Sequence, residues 1–151
     1  MRAVIQRVLE ASVSVEGRET GAIGPGLLAF VGIESADTDE DIAWLANKLP
    51  ALRVFEDAEG RMNRSLSETG GGILLISQFT LYGNLRKGTR PSFNRAAPPD
   101  FARDFFARFH LALEIAFGRA VPTGVFGAMM DIRARHDGPV TLVLDTKMRD
   151  F

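Results

Sequence analysis

Cysteine is absent from the 151-residue sequence, and histidine is scarce, with only His110 and His136 present. A chain without cysteine forms no disulfide, holds no cysteine-ligated metal and has no thiolate nucleophile. Two histidines also argue against a histidine-based metal centre. Any chemistry is therefore expected from hydroxyl, amide, charged or backbone groups.

Long apolar runs and a surplus of one charge are absent as well. No apolar stretch approaches the 18 residues of a membrane-spanning helix, and Met1 is followed by the alternating RAVIQRV instead of an export signal. We therefore expect a cytoplasmic protein without membrane contacts. The net charge of −1 and the pI of about 6.1 argue against a broad basic surface, so any contact with nucleic acid should be local.

What the sequence does contain is typical of one globular domain. Hydrophobic residues make up 46% and charged residues 25% of the chain, and no linker interrupts it. A chain of this length buries roughly two thirds of its unfolded surface. Residues 1–151 are therefore predicted to form a single compact α+β domain.

Alternating or apolar runs predict the strands, and a spacing of three to four residues predicts two main helices. The predicted strands lie at residues 2–8, 12–15, 19–23, 27–33, 52–55, 73–76, 132–136 and 140–144. The first helix begins at Asp37 or Thr38 and is ended by Pro50. The second follows Asp100 and stops at Gly118. Its inner stripe is expected to comprise Phe101, Phe105, Phe109, Ala112 and Ala116.

One predicted strand ends in polar residues. The apolar run at residues 73–76 predicts a strand buried on both faces, and its end delivers Ser77, Gln78 and Thr80. Two hydroxyls, an amide and several backbone N–H groups would then meet where packing gives way to a pocket. The alternative is that these residues only cap the strand.

A basic loop follows the same strand end. Its cations are Arg86, Lys87 and Arg90, spaced around a glycine. Guanidinium and ammonium groups in this position are able to hold a phosphate-bearing ligand. The alternative is that they only solvate a loop, as most charge runs do.

Several motifs stand out in order along the chain. They are Ser77-Gln78-Phe79-Thr80-Leu81, Arg86-Lys87-Gly88, Arg90-Pro91-Ser92-Phe93 and Asp137-Gly138-Pro139-Val140-Thr141. Together they resemble the D-aminoacyl-tRNA deacylase family. The first eight residues, the Gly24-Pro25-Gly26 segment and Phe55-Glu56-Asp57 are also similar to it, so the resemblance covers nearly the whole chain.

The resemblance implies hydrolysis of the ester that joins a D-amino acid to the 3′-terminal adenosine of tRNA. The pocket would lie at the interface of a homodimer, without metal or cofactor, in a barrel-like arrangement of mixed and antiparallel sheets packed with two main helices. The residues that resemble the catalytic wall are Ser77, Gln78, Phe79 and Thr80. Backbone N–H groups near Phe79 and Thr80 would stabilise an oxyanion there. The residues expected to bind tRNA are Arg86, Lys87 and Arg90.

Gly138 and Pro139 resemble the family's chiral selector. That selector enters from the other subunit with a cis peptide bond, rejects L side chains and admits any D-amino acid and glycine. From the residues alone, Asp137-Gly138 is also typical of a plain hairpin turn, although Pro139 would remove a ladder hydrogen bond beside it. Arg7 resembles an arginine that holds this loop, and its alternative is a surface cation on the first strand.

Thr80 is predicted to orient the substrate instead of attacking it. Activating a hydroxyl requires an adjacent base, and no motif supplies a histidine or carboxylate beside it. An aminoacyl ester carries a neighbouring ribose 2′-hydroxyl, so water activation is able to draw on the substrate itself.

The chain departs from the family pattern next to the selector. His136 stands where the family typically has asparagine, Met129 where it has an acidic residue, and Arg133 and Arg135 replace milder residues. Two other classes of function stay open at this point. One is a non-catalytic module that binds the acceptor end of tRNA or a nucleotide. The other is a general small-molecule esterase, weakened by the lack of a Gly-x-Ser-x-Gly elbow.

Overall fold

The first strand organises the fold, which a computed structural model describes for residues 1–150. Within these residues the chain forms seven strands, three α-helices and one 3₁₀ turn. The strands are β1 (Arg2–Val15), β2 (Arg18–Ile23), β3 (Gly26–Gly32), β4 (Phe55–Glu56), β5 (Met62–Arg64), β6 (Gly72–Ser77) and β7 (Asp131–Asp145). The helices are α1 (Asp39–Ala51), α2 (Leu66–Thr69) and α3 (Pro99–Phe117), and the 3₁₀ turn is Phe79–Tyr82.

Strand β1 is one continuous strand, where the sequence predicts two. Its register against β7 shifts on either side of Val8, so that the strand bends without ending. Val8, Ala11 and Val13 all face the interior beyond that bend. Residues 9–11, between the two predicted strands, therefore belong to one irregular strand and not to a loop.

The other strands of this five-stranded sheet, β2, β3, β6 and β7, assemble around β1, and β4 and β5 form a separate pair. One edge of β1 pairs along its length with β7, and the other pairs with β3 in its first half and β2 in its second, all antiparallel. Strand β6 then adds to β3 in parallel. Strand β2 curls towards β6, since a Cβ at Gly72 would lie 2.9 Å from Cγ2 of Ile23. The sheet is therefore a curled half-barrel, in agreement with the predicted barrel-like α+β class.

Two hydrophobic clusters hold this sheet. The smaller lies inside the curl, and the larger lies between the sheet and the helices α1 and α3. The predicted inner stripe of α3 is wrong in part, because Phe101 is 41% exposed. The residues that α3 buries are Ala102, Phe105, Phe106, Phe109, Leu113 and Phe117.

Local signals set the ends of the helices. Thr38 caps α1 with Asp41 in a capping box, and α3 ends at Gly118, whose φ of 73° is left-handed. The predicted strand at 52–55 is reduced to the two residues of β4, which pair with β5. Residues 62–69, where no strand or helix is predicted, contain β5 and the one-turn helix α2. No helix in the described part of the chain is long and apolar enough to cross a membrane.

Candidate active site

Strand β6 delivers its polar end to the edge of the core, as the sequence predicts. Its residues 73–76 are fully buried, and Ser77 pairs with Val31 of β3. The amide of Gln78 then donates to Val31 O at 2.8 Å. A Cβ at Gly32 would lie 2.9 Å from Gln78 O, so the backbone packs tightly against β3 just before the 3₁₀ turn.

The 3₁₀ turn presents backbone donors. Leu81 N–H donates to Gln78 O, and Gly83 N–H donates to Thr80 O at 2.9 Å. Among residues 1–150, no acceptor is bonded to the amides of Phe79 and Thr80, because the first turn of any helix leaves such groups free. Two adjacent N–H groups are therefore available to a bound oxygen.

Side chains complete the surface of this turn. The ring of Phe79 is 57% exposed and meets Phe93 edge-on, with centroids 5.0 Å apart. The side-chain Nε2 of Gln78 donates to Thr80 Oγ1, which leaves the threonine hydroxyl proton free to donate. Within the described chain neither Ser77 nor Thr80 bonds to a histidine or a carboxylate. Among the described residues, neither hydroxyl therefore has a bonded base of the kind that a hydroxyl nucleophile needs.

The Gly138-Pro139 segment is a bulge in β7, so the alternative of a plain hairpin turn is wrong. Strand β7 continues through it, with His136 opposite Val8 and Thr141 opposite Gln6. Residues 137–140 therefore lie opposite Arg7 alone and project from the ladder. The Gly138-Pro139 bond is cis, and both residues are exposed.

Arg7 lies beneath this bulge and is only 7% exposed, so the alternative of a surface cation does not describe it. Its Nε donates to Asp137 O at 3.0 Å and lies 3.1 Å from Asp137 Oδ2. Its Nη1 donates to Val54 O at 2.6 Å. One buried guanidinium thus ties the base of the bulge to the segment after α1.

The bulge and the 3₁₀ turn do not meet within one chain. Ser77 lies beside Val31, which pairs with Ala3, whereas the bulge lies opposite Arg7. Along β1, the four residues from Ala3 to Arg7 separate the turn from the bulge by about 13 Å. Across the sheet, the three strand spacings from β6 to β7 add about 14 Å. The predicted selector and the predicted catalytic wall of a single chain are therefore apart.

The predicted tRNA-binding cations lie on an exposed loop after the turn. Asn84 and Ser92 close its base through two backbone hydrogen bonds of 2.8 and 3.0 Å. The three cations project from its tip and make no ion pair with any described residue: Arg86, Lys87 and Arg90. Because Phe93 at the end of this loop contacts Phe79, the loop and the turn form one surface.

The residues that depart from the family pattern lie on the surface. Met129 is 92% exposed, and His136 is exposed next to the bulge. Arg133 pairs with Asp131 at 3.2 Å, and Arg135 lies 3.8 Å from Glu10. Across residues 1–150, no group of three or more histidine or acidic side chains is placed to hold a metal ion.

Comparison with known proteins identifies the family. A model of the D-Tyr-tRNA(Tyr) deacylase family matches residues 4–145. The chain belongs to this family. A curated family relative, the D-aminoacyl-tRNA deacylase of Opitutus terrae, is 56% identical over 150 residues, which cover 99% of this chain and 100% of that protein. The D-aminoacyl-tRNA deacylase of Thermus aquaticus is 54% identical over 146 residues, which cover 97% and 95%.

A solved structure has a fold similar to that of this chain. The structure of a c-Myc DNA unwinding element binding protein is 38% identical in sequence and superimposes with a TM-score of 0.91. The match covers 96% of this chain and 98% of that one. The family that the motifs predict is therefore confirmed, and so is the mixed α+β fold.

Sequence reasoning assigned no role to two residues that contact the turn, Phe93 and Arg2. Phe93 ends one of the motifs, and an aromatic residue directly after the basic loop is a local signal for a contact with the turn. Arg2 donates to a backbone carbonyl of the turn, 79 positions along the chain. No local pattern reports a contact of that range.

Proposed function

We propose that this protein hydrolyses the ester of D-aminoacyl-tRNA, and of glycyl-tRNA, to free amino acid and tRNA. The observation that carries the proposal is the pair of free N–H groups at Phe79 and Thr80, in a chain whose family model spans residues 4–145. The whole chain, residues 1–151, would act as one catalytic domain in the cytoplasm.

Hydrolysis proceeds by addition of water to the ester carbonyl. The carbonyl oxygen gains negative charge, and the N–H groups of Phe79 and Thr80 stabilise it as an oxyanion. The bond between the acyl carbon and the ribose oxygen then breaks, and the proton lost by the water passes to that oxygen. The neighbouring ribose hydroxyl assists this transfer, since the Thr80 hydroxyl has no base and serves to orient the carbonyl.

Discrimination between D- and L-amino acids requires a second copy of the chain. Because the bulge lies far from the turn of its own chain, Gly138 and Pro139 would enter the pocket of the partner in a homodimer. Their backbone would form a wall that an L side chain strikes and that any D side chain avoids. Arg7 would hold this wall in place from beneath.

One face of the sheet supports the homodimer. Val4 pairs with Phe30 on one side and Val143 on the other, and all three remain partly exposed. An apolar patch of neighbouring strands is a typical surface for a symmetric partner to cover.

The basic loop would bind the tRNA itself. Arg86, Lys87 and Arg90 are free of ion pairs within the described residues and are therefore available to phosphates of the acceptor stem. The exposed ring of Phe79 would stack against the 3′-terminal adenosine beside the scissile ester.

Incubation with D- and L-aminoacyl-tRNA, with loss of the ester as the measured quantity, tests the proposal. We expect hydrolysis of the D-aminoacyl and glycyl substrates alone, by a protein that sediments as a dimer. Binding of tRNA without hydrolysis would instead identify a non-catalytic acceptor-end module. Hydrolysis of small esters regardless of RNA or handedness would identify a general esterase.

A further inference from the structure

Arg2, at the start of β1, joins three separate parts of the fold. Its Nε and Nη2 donate to Asp145 Oδ2, at the end of β7, at 3.1 and 2.9 Å. Its Nη1 donates to Leu81 O, within the 3₁₀ turn, at 2.9 Å. The side chain is 25% exposed, whereas Asp145 is almost fully buried. One guanidinium thus links the turn to the start of β1 and the end of β7.

The contacted carbonyl lies close to the proposed chemistry. Leu81 directly follows Thr80, and carbonyls at the end of a short helical turn lack partners inside it. A charged donor there satisfies the carbonyl and holds the turn against β3. The N–H groups of Phe79 and Thr80 point from the beginning of the same turn, so their direction depends on how the turn is held.

Tyr82 supports the same arrangement from the next position. Its side chain is 2% exposed, and two guanidinium groups lie over its ring, with the Cζ of Arg2 4.9 Å and that of Arg95 5.5 Å from the ring centroid. Arg95 is itself held by Glu34 at 3.1 Å. Burial, reinforced by nearby carboxylates, raises the pKa of Tyr82, so the ring stays neutral beside the two cations.

Asp145 is a stable anchor for Arg2. Burial alone would raise the pKa of Asp145, but hydrogen bonds from Lys147 N–H and from Arg2 outweigh it and hold the pKa below the ordinary 3.8. The carboxylate is therefore ionised throughout the neutral range. A charged, buried acceptor keeps the guanidinium in one orientation.

We propose that Arg2, anchored by Asp145, is a positioning residue of the hydrolysis, because it sets the direction of the N–H groups of Phe79 and Thr80 through Leu81 O. This inference rests on the proposed function. Arg2 acts through the backbone of the turn and would leave substrate binding by the basic loop untouched. Its loss should therefore lower kcat far more than it changes KM.

The test replaces Arg2 by Gln or Lys and Asp145 by Asn. Arg2→Gln should lower kcat by roughly 10- to 100-fold, as small misplacements of catalytic groups do, with KM changed by less than about threefold. Arg2→Lys should restore little, because one ammonium cannot replace the forked contact to Asp145 and Leu81 O. Asp145→Asn should also lower kcat. The loss of kcat in the double variant Arg2→Gln/Asp145→Asn should be smaller than the product of the two single losses.

Arg149→Gln provides a matched control. Arg149 also stacks over an aromatic ring, Trp44 at 5.3 Å, and donates to a carboxylate of Glu40 at 2.8 Å and to Thr146 O at 3.2 Å. It does so away from the turn. This variant should lose similar contacts and keep the wild-type kcat.

Amide hydrogen exchange separates the inference from the proposed function. Exchange at Leu81 and Gly83, whose N–H groups close the turn, should rise in Arg2→Gln and stay unchanged in Arg149→Gln. Unchanged exchange, or faster exchange with a wild-type kcat, would overturn the positioning role while the activity stands. A wild-type protein inactive on D-aminoacyl-tRNA would instead overturn the proposed function, and the positioning role with it.

Discussion

Two arginines of strand β1, Arg7 and Arg2, each hold a backbone segment in place. The two arginines differ in burial and in the groups they contact. Arg7 is buried and donates to two backbone carbonyls, Asp137 O in the bulge and Val54 O after α1. Arg2 is a quarter exposed and divides its donors between a carboxylate and the carbonyl of Leu81. The first supports a bulge that projects from the sheet, and the second draws a turn onto it.

This difference indicates how the two segments would work. A projecting bulge forms a wall for a neighbouring subunit, and it needs support only at its base. A turn drawn onto the sheet presents N–H groups in a fixed direction, and it needs a contact close to those groups. In both places the proposed chemistry belongs to the backbone, and the side chains serve to hold it.

Gly138→Ala should have the largest effect on activity. A Cβ at this position would lie 2.2 Å from Val140 N, so the bulge must change shape to admit it. We expect hydrolysis of every D-aminoacyl substrate to fall by roughly 100-fold without a change of handedness. Gly24→Ala is the control, because a Cβ at Gly24 meets nothing within 4 Å. Steady-state rates near wild type for Gly138→Ala would show that the bulge plays no part.

Arg7→Gln should lower stability as well as activity. It leaves the carbonyls of Asp137 and Val54 without their donor, which costs roughly 2 to 4 kcal/mol of unfolding free energy. Urea denaturation measures this loss, and the ratio of D to L hydrolysis should fall as the wall loosens. Arg53→Gln, which removes a donor to the exposed Asn63, should change stability by less than about 0.5 kcal/mol. Equal stability of Arg7→Gln and Arg53→Gln would show that the contacts of Arg7 do not support the base of the bulge.

Replacing Arg86, Lys87 and Arg90 together by Gln should weaken tRNA binding and leave the fold and both arginine contacts intact. If each cation meets a phosphate, the slope of log affinity against log salt should decrease by about 3. The control changes the same net charge on the helices, by Lys48→Gln, Arg103→Gln and Arg108→Gln. An identical salt dependence for the two triple variants would place the acceptor stem elsewhere.

Thr80→Ala should have the smallest effect, since in the proposed mechanism the backbone of the turn, and not the hydroxyl, stabilises the oxyanion. Loss of one orienting hydrogen bond should lower kcat by about tenfold or less. Thr69→Ala, whose hydroxyl bonds to Leu66 O in α2, tests for a general effect of removing a threonine hydroxyl. Trapping an aminoacyl ester on Thr80 would make it the nucleophile and contradict the positioning mechanism.

Local sequence signals predicted the elements that depend on local physics. The apolar run at 73–76, the cap at Thr38 and the stop at Gly118 all lie where the pattern places them. Periodicity was less reliable on α3, because this helix packs against both α1 and the sheet. Its buried face is therefore wide enough to include both Phe105 and Phe106.

Contacts between distant residues could not be predicted in the same way. Asp137-Gly138 carries a strong local hairpin signal, yet both flanking segments pair with β1 in the same direction, so the chain bulges without reversing. The burial of Arg7 likewise depends on Val54 and Asp137, which lie 47 and 130 positions away. A family resemblance supplied the expected role of Arg7, and nothing in the sequence pointed to Arg2.

The length of β1 between Arg2 and Arg7 also sets the distance between the two arginines. Five residues of extended strand fix the two arginines about 17 Å apart, and an odd separation directs them to opposite faces of the sheet. Inserting or deleting one residue between them would change that spacing and turn one arginine to the wrong face. A change of length within this stretch therefore disturbs both arginines at once, and the number of residues in the strand sets the distance between the bulge and the turn.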